Sequence, residues 1–328
     1  MKKTLIALAV LAASGASIAQ VSITGKLGFS YQKNANIAGG SAHHGMAMSD
    51  GDLNFTATED LGGGMVAVAK TAFSSRGRDN SFAPRDGSLS LKTNVGLLTL
   101  GSVESCSTIL NTAGAPVSLA TGHDSDTLAT PIDRCANIDM FQFTVPVGAV
   151  TLQYTYADSI LRAVAGTVGS GAGGAGDLQS NTVKASYASG PISADLDFTV
   201  YAANAAIQAV AGTYWDGLTR TRLSGSYDLG VAKIGAGIQM NNHDKAGQSS
   251  VSLNVPMGAL SFGLVHSMRA SQGTSTYTGL TVADSRTGTA VGVKYDLSKT
   301  TNVNASWGTY SNNTAVDNEF RLRLMKSF

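Results

Sequence analysis

Glu319-Phe-Arg-Leu-Arg-Leu-Met-Lys-Ser-Phe328, the last ten residues of the sequence, alternate polar and apolar side chains. Successive side chains of a strand point to opposite faces, so Phe320, Leu322, Leu324 and Phe328 share one face and Glu319, Arg321, Arg323 and Ser327 the other. In water, a free strand edge with a wholly apolar face invites aggregation. A closed barrel in lipid has no edge, and its outer face has to be apolar. Lys326 falls on the apolar side, near enough to the strand end for its amine to snorkel to the interface.

Working outward from that segment, the same alternation recurs. Val21, Ile23, Leu27, Phe29 and Tyr31 oppose Ser22, Thr24, Lys26 and Ser30. Further two-faced stretches lie at about 51–59, 65–73, 87–93, 97–103, 138–145, 150–157, 180–188, 191–201, 218–228, 231–241, 249–256, 260–268, 287–295 and 300–310, sixteen in all with the two ends. Their connections alternate in length. Seven are tight and carry Gly, Pro, Asn or Asp, as in Glu59-Asp-Leu-Gly-Gly-Gly64, Asn94-Val-Gly96, Pro146-Val-Gly-Ala149, Ala188-Ser-Gly-Pro191, Asp228-Leu-Gly230, Pro256-Met-Gly-Ala259 and Asp296-Leu-Ser-Lys299. Eight are long and polar, near 33–50, 74–86, 104–137, 158–179, 202–217, 242–248, 269–286 and 311–318. The expected fold is therefore all-β: a 16-stranded antiparallel transmembrane β-barrel with short periplasmic turns and long extracellular loops. A soluble sandwich is the competing reading. Against it stands the segregation of charge, because Lys26, Lys70, Lys92, Lys184, Arg220, Arg222, Lys233, Lys294, Arg321 and Arg323 all fall on the polar face.

Composition agrees with a barrel. Charged residues make up 14% of the chain, against about 25% in soluble domains, and 38 of 328 residues are glycine. Lys2 and Lys3, an apolar run from Leu5 to Ala13 and the small-residue site Ser17-Ile-Ala19 read as a secretory signal, residues 1–19, ahead of a barrel over 20–328. The apolar run is shorter than the roughly 20 residues a spanning helix needs. Basic and acidic residues nearly balance at 23 and 22, so nothing points to nucleic acid. Export permits a disulfide between the two cysteines, Cys106 and Cys135.

Thr58-Glu-Asp-Leu-Gly-Gly-Gly-Met65, Ser88-Leu-Ser-Leu-Lys-Thr-Asn-Val-Gly-Leu-Leu-Thr-Leu-Gly101, the opening Val21-Ser-Ile-Thr-Gly-Lys-Leu27 and the final Phe328 together resemble a general porin of the beta-proteobacterial outer membrane, over essentially the whole mature chain. The resemblance implies a 16-stranded homotrimer in outer-membrane lipid, with a third loop folded into the lumen. It also implies that Phe328 is part of the signal read by the barrel-assembly machinery. Arg85 and Arg134 occupy places resembling basic wall positions of that family. Asp52 sits where the family commonly has a basic residue, which argues against strong anion selectivity.

The connection from Glu104 to Asn137 follows the fifth strand, where the constriction loop should lie, and carries Glu104, Asp124, Asp126 and Asp133 opposite the basic wall. Opposed charges across a narrow aqueous gap create a transverse field that filters ions and orients polar solutes. The alternative is an ordinary solvated outer loop. Cys106 and Cys135 mark its two necks; a bridge would close about 30 residues and stabilise by roughly 3–4 kcal/mol in the chain-entropy model, while two unpaired thiols are the other possibility. His123-Asp-Ser-Asp126 contains hydrolase residue types, but sequence neighbours do not make a triad, so no enzyme is expected. His43, His44 and His243 lack ligand spacing, so no metal and no cofactor are expected.

The sequence thus points to an outer-membrane porin for passive diffusion of small hydrophilic solutes and ions, weakly anion-preferring. Lys26, Asp52, Lys70, Arg85, Lys92, Glu104, Asp124, Asp126, Asp133, Arg134, Arg220, Arg222, Arg321 and Arg323 are its expected lining. A substrate-selective channel of the same fold, with a solute-binding third loop, is the alternative, and an adhesin or receptor barrel the third.

Overall fold

A computed structural model describes residues 20–35, 43–74, 83–118, 136–158, 178–205, 208, 216–242, 247–270, 273–274, 281–282, 285–311 and 317–328. The strands are β1 (Gln20–Ala35), β2 (His43–Gly62), β3 (Met65–Ser74), β4 (Ala83–Lys92), β5 (Leu97–Ser105), β6 (Ala136–Val147), β7 (Val150–Asp158), β8 (Leu178–Ser189) and β9 (Ile192–Ala203). They continue as β10 (Thr219–Asp228), β11 (Lys233–Asn241), β12 (Gln248–Met257), β13 (Leu260–Arg269), the two-residue β14 (Gly273–Thr274) and β15 (Thr281–Val282), then β16 (Arg286–Ser298), β17 (Thr301–Ser311) and β18 (Asn318–Ser327). Apart from the β14–β15 hairpin, they form one closed barrel of sixteen strands, each antiparallel to its neighbours and following chain order.

The seam between β1 and β18 pairs Phe29 with Leu324 and Tyr31 with Leu322. Beyond the last strand residue, Phe328 and Gly25 exchange reciprocal backbone hydrogen bonds, at 2.9 and 3.0 Å. Closure leaves no ladder edge, and that satisfaction of backbone polar groups is what lets strands cross lipid.

Exposure decides which face is inside. On β9, Leu196 and Phe198 are 49% and 45% exposed, while Asp197 and Thr199 are 5% and 0% exposed. Grease lies outside and polarity inside, the reverse of a soluble domain and the arrangement of a lipid-embedded barrel. Phe55 and Phe73 meet edge-on across β2 and β3 on that outer face, with ring centroids 5.9 Å apart.

The tight turns follow from their residues. In Asp60-Leu-Gly62 the Asp60 carboxylate accepts from Gly62 N–H at 2.8 Å, and Asp228-Leu-Gly230 repeats the bond at 2.8 Å. Gly62, Gly63 and Gly64 have φ of 77°, 63° and 81°, a region that β-carbon sterics close to most residues.

Two stretches read from sequence as long loops differ from expectation. Residues near 33–50 are largely strand, since β1 runs to Ala35 and β2 begins at His43. Met46 and Met48 pair with Tyr31 and Phe29 on the outer face, and a register shift at Gly28/Phe29 inserts one residue into β2. That bulge interrupts the alternation that identifies a strand in sequence. The 269–286 connection contains the β14–β15 hairpin.

Candidate functional site

The lumen wall has two chemically different halves. On β1, β2, β4, β5 and β18, charges alternate in a ladder. Arg323 reaches Asp50 at 3.3 Å, Lys26 reaches Asp50 at 3.0 Å and Asp52 at 3.2 Å, and Arg85 bridges Asp52 and Glu104 at 3.0 Å each. Asp50 shares the inward face with Asp52 by simple alternation, opposite Gly28 and next to the bulge, with Ser49 Oγ donating to its carboxylate at 2.9 Å. Asp50 and Asp52 are buried and therefore need their cationic partners, because a desolvated carboxylate without one is strongly unfavourable. Three cations and three carboxylates cancel along the ladder.

The other half, on β11, β12, β13, β16 and β17, presents small residues at inward positions: Gly235, Gly237, Ser250, Ser252, Gly263, Gly292 and Ser306. Residues 107–118 lie against them. Ile109 is wholly buried, its carbonyl accepting from Ser250 Oγ at 2.8 Å. Ala113 N–H donates to Ser252 Oγ at 2.9 Å. The Pro116 carbonyl accepts from Asn304 Nδ2 at 2.6 Å, Ser118 N–H donates to Ser306 Oγ at 2.9 Å, and Arg321 Nη1 donates to the Ser118 carbonyl at 2.7 Å. The glycines permit this approach, since a β-carbon at Gly237 would lie 2.7 Å from Ile109 Cα. The segment thus runs across the interior from the end of β5 to β17 and β18.

Arg321 also donates to Gln32 Oε1 at 3.2 Å, and Tyr310 Oη donates to Glu319 at 2.7 Å, so the far end of the segment rests on a polar network. Lys70 and Lys92 face the lumen on β3 and β4 and enter no ion pair among the described residues. Arg220 and Arg222 lie in a separate recess bounded by the root of the inward segment and β5 to β10. There Lys184 pairs with Asp195 at 3.0 Å, Arg222 Nε donates to Gln239, and the Arg220 guanidinium lies 5.4 Å from the Tyr201 ring centroid.

The expected site residues therefore separate. Lys26, Asp52, Arg85, Glu104 and Arg323 meet in the ladder, Arg321 holds the inward segment, and Arg220 and Arg222 stand apart. Asp124, Asp126, Asp133, Arg134 and Cys135 lie outside the described residues, and Cys106 carries no free thiol. Sequence reasoning missed Asp50, which it left in a loop, and the docking face. The available signal for that face was glycine and serine recurring at inward positions of consecutive strands. Among the described residues, no group of three or more His, Cys, Asp or Glu could hold a metal ion.

A closed barrel, apolar outside and charged within, whose interior is crossed by the segment after its fifth strand, defines a channel-forming protein of the outer membrane. The sequence matches the family described as Gram-negative porin over residues 4–315, and the chain belongs to that family. A stretch of 110 residues is 39% identical to outer membrane porin protein 32 of Delftia acidovorans, spanning 31% of this chain and 31% of that protein. Among solved structures, the anion-selective porin from Comamonas acidovorans superposes with a TM-score of 0.69 at 17% identity, covering 94% of this chain and 100% of that one. A triple mutant of the Rhodopseudomonas blastica porin gives 0.66 at 14% identity, with coverages of 94% and 100%. At these identities the structures speak for the shared fold.

Proposed function

We propose that this porin is a passive, water-filled channel admitting small hydrophilic solutes and ions, with a weak anion preference and no catalytic role. The observation that carries the reading is the cancelling ladder. Asp50 and Asp52 neutralise much of the basic wall beside them, so the preference rests on cations outside the ladder, such as Lys70, Lys92 and Arg321. A low-dielectric wall focuses that residual charge into the lumen. The similar Comamonas protein is an anion-selective porin, which supports the sign. The direct test is the reversal potential of the purified protein in a planar bilayer under a potassium chloride gradient. A modest anion preference at low salt is expected, and cation selectivity would overturn the assignment.

The reading extends to the whole loop over about 104–137, with a Cys106–Cys135 bridge at its neck and a constriction formed with Asp124, Asp126, Asp133 and Arg134. The anchored run from Ile109 to Ser118 supports it. The protein works as a homotrimer: Ala67, Ala69, Gly225 and Ala236 are small residues on the outward face, suited to packing against protein. Native electrophoresis showing only monomer across mild detergents would count against this. Residues 1–19 act as the export signal, and Phe328 serves recognition by the assembly machinery as well as closure at Gly25. Deleting Phe328 should lower folded protein in the membrane and leave the conductance of assembled channels unchanged. Full assembly of the truncated chain would remove that role.

A further inference from the structure

We propose that the recess between β5–β10 and the root of the inward segment is a binding subsite for small zwitterionic solutes with an apolar side chain, Asp197 holding the ammonium and Arg220 the carboxylate. The proposal rests on the porin reading and gives the lumen a chemical preference beyond charge. The recess has a volume of about 370 Å³, in the range of small-molecule sites. One side is apolar, formed by Val103, Ile138 and Met140.

Asp197 is 5% exposed and lines the recess, yet its Oδ1 has no hydrogen-bond partner among the described residues. Lys184, Arg220 and Arg222 all lie close enough for their charge to act on Asp197, yet none donates a hydrogen bond to that oxygen. Lys184, directly opposite on β8, binds Asp195 at 3.0 Å, and Arg222, directly opposite on β10, donates its Nε to Gln239. A buried carboxylate oxygen without a donor bears its desolvation cost uncompensated, so a solute that brings an N–H to it gains more than an exposed contact would give.

Arg220 complements it. Its Nε likewise has no partner among the described residues, its Nη2 makes one long bond to Thr199 Oγ1 at 3.4 Å, and its plane is held against Tyr201. A guanidinium fixed in this way offers paired donors to a carboxylate. Arg220 pairs with Thr199, two residues along β9 from Asp197, so the two are diagonal neighbours, a relation that sets their strand positions roughly 7–8 Å apart. With side chains converging from those positions, an α-amino carboxylate spans the gap, and its side chain meets the apolar wall. A simple anion would leave Asp197 without a donor, and a simple amine would leave Arg220 without an acceptor.

Saturation-transfer-difference NMR on the full mature protein in detergent micelles, with L-leucine as probe, tests this. Saturable binding is expected, with the methyl protons receiving the most saturation. Isocaproate, which lacks the amine, and isopentylamine, which lacks the carboxylate, should bind at least about tenfold more weakly, as should leucine to Asp197→Asn and to Arg220→Gln, because each loses a charged hydrogen bond. Isocaproate binding as tightly as leucine, or leucine affinity unchanged in both variants, would overturn the subsite. The analogue series uses the unaltered protein and stands even if a variant fails to fold. Ohmic channel steps from the same preparation without leucine binding would sink the subsite alone, whereas absence of steps would sink the porin reading.

Discussion

The ladder wall and the docking wall belong to one sheet and share its alternation, yet their inward residues are opposites. β1, β2, β4 and β18 carry paired Asp, Lys and Arg towards the lumen, whereas β11, β12, β13 and β16 carry Gly and Ser where the segment docks, with charge returning only beyond it, as in the Lys294–Asp296 pair at 3.0 Å. The difference follows from what each wall faces. A wall facing the water path can keep long charged side chains solvated, and their pairing fixes their positions. A wall that receives a polypeptide segment must offer volume and short donors. The Ser250 and Ser252 hydroxyls meet the Ile109 carbonyl and the Ala113 amide, which have no ladder of their own. One sheet thereby carries charge on one side of the lumen and bound chain on the other.

The largest effect is expected where the docking wall is overfilled. Gly237→Leu would drive a side chain into the space of Ile109, and overpacking of this kind costs about 1–3 kcal/mol. The barrel closes through strand pairs that the change does not touch, so folded protein should still resist heating in detergent. The segment should leave the wall and move into the water path, lowering single-channel conductance. Unchanged conductance would show that residues 107–118 do not limit the pore, and the two walls would then differ without consequence.

An intermediate effect is expected from uncoupling the ladder. Asp50→Asn with Asp52→Asn would leave Lys26 and Arg323 without counter-charges and Arg85 with Glu104 alone, while keeping side-chain volume. The cations left behind are partly solvated, the Lys26 side chain being 41% exposed, so the loss of stability falls below that of breaking a fully buried pair, and a closed barrel of sixteen strands should survive it. The anion-to-cation permeability ratio should rise several-fold. A ratio that does not move would place the filter elsewhere, with the loop residues beyond Ser118 as the first candidates.

Much of this was legible in the sequence, and the limits have physical causes. The alternation of Arg321 and Arg323 with Leu322 and Leu324 gave the faces directly, and Asp60-Leu-Gly62 and Asp228-Leu-Gly230 gave the turns, because both are local. The ladder is not local. Lys26 and Arg323 are brought together only by barrel closure, and Asp50 adjoins a bulge that obscures its own strand in the sequence. The docking wall was hidden for a related reason. Gly235, Gly237, Gly263 and Gly292 read singly as weak strand residues, and become a surface only when register aligns them.

The smallest effect should come from the cations that neither wall engages. Lys70 and Lys92 face the lumen without ion pairs among the described residues, so replacing both with glutamine removes charge and breaks no bond. Solvated charges act through screened water, and the Debye length falls from about 30 Å at 0.01 M salt to about 3 Å at 1 M. The double variant should therefore reduce the anion preference modestly at low salt and be indistinguishable from the unaltered protein near 1 M, as read from reversal potentials. Ladder variants differ in kind: their charges sit close to buried neighbours, and part of their effect should persist at high salt. If the Lys70 and Lys92 variant kept its full effect at 1 M, or the ladder variant lost all of its own, burial would not be what separates paired from solvated charge in this lumen, and the residual preference would have to arise from pore shape.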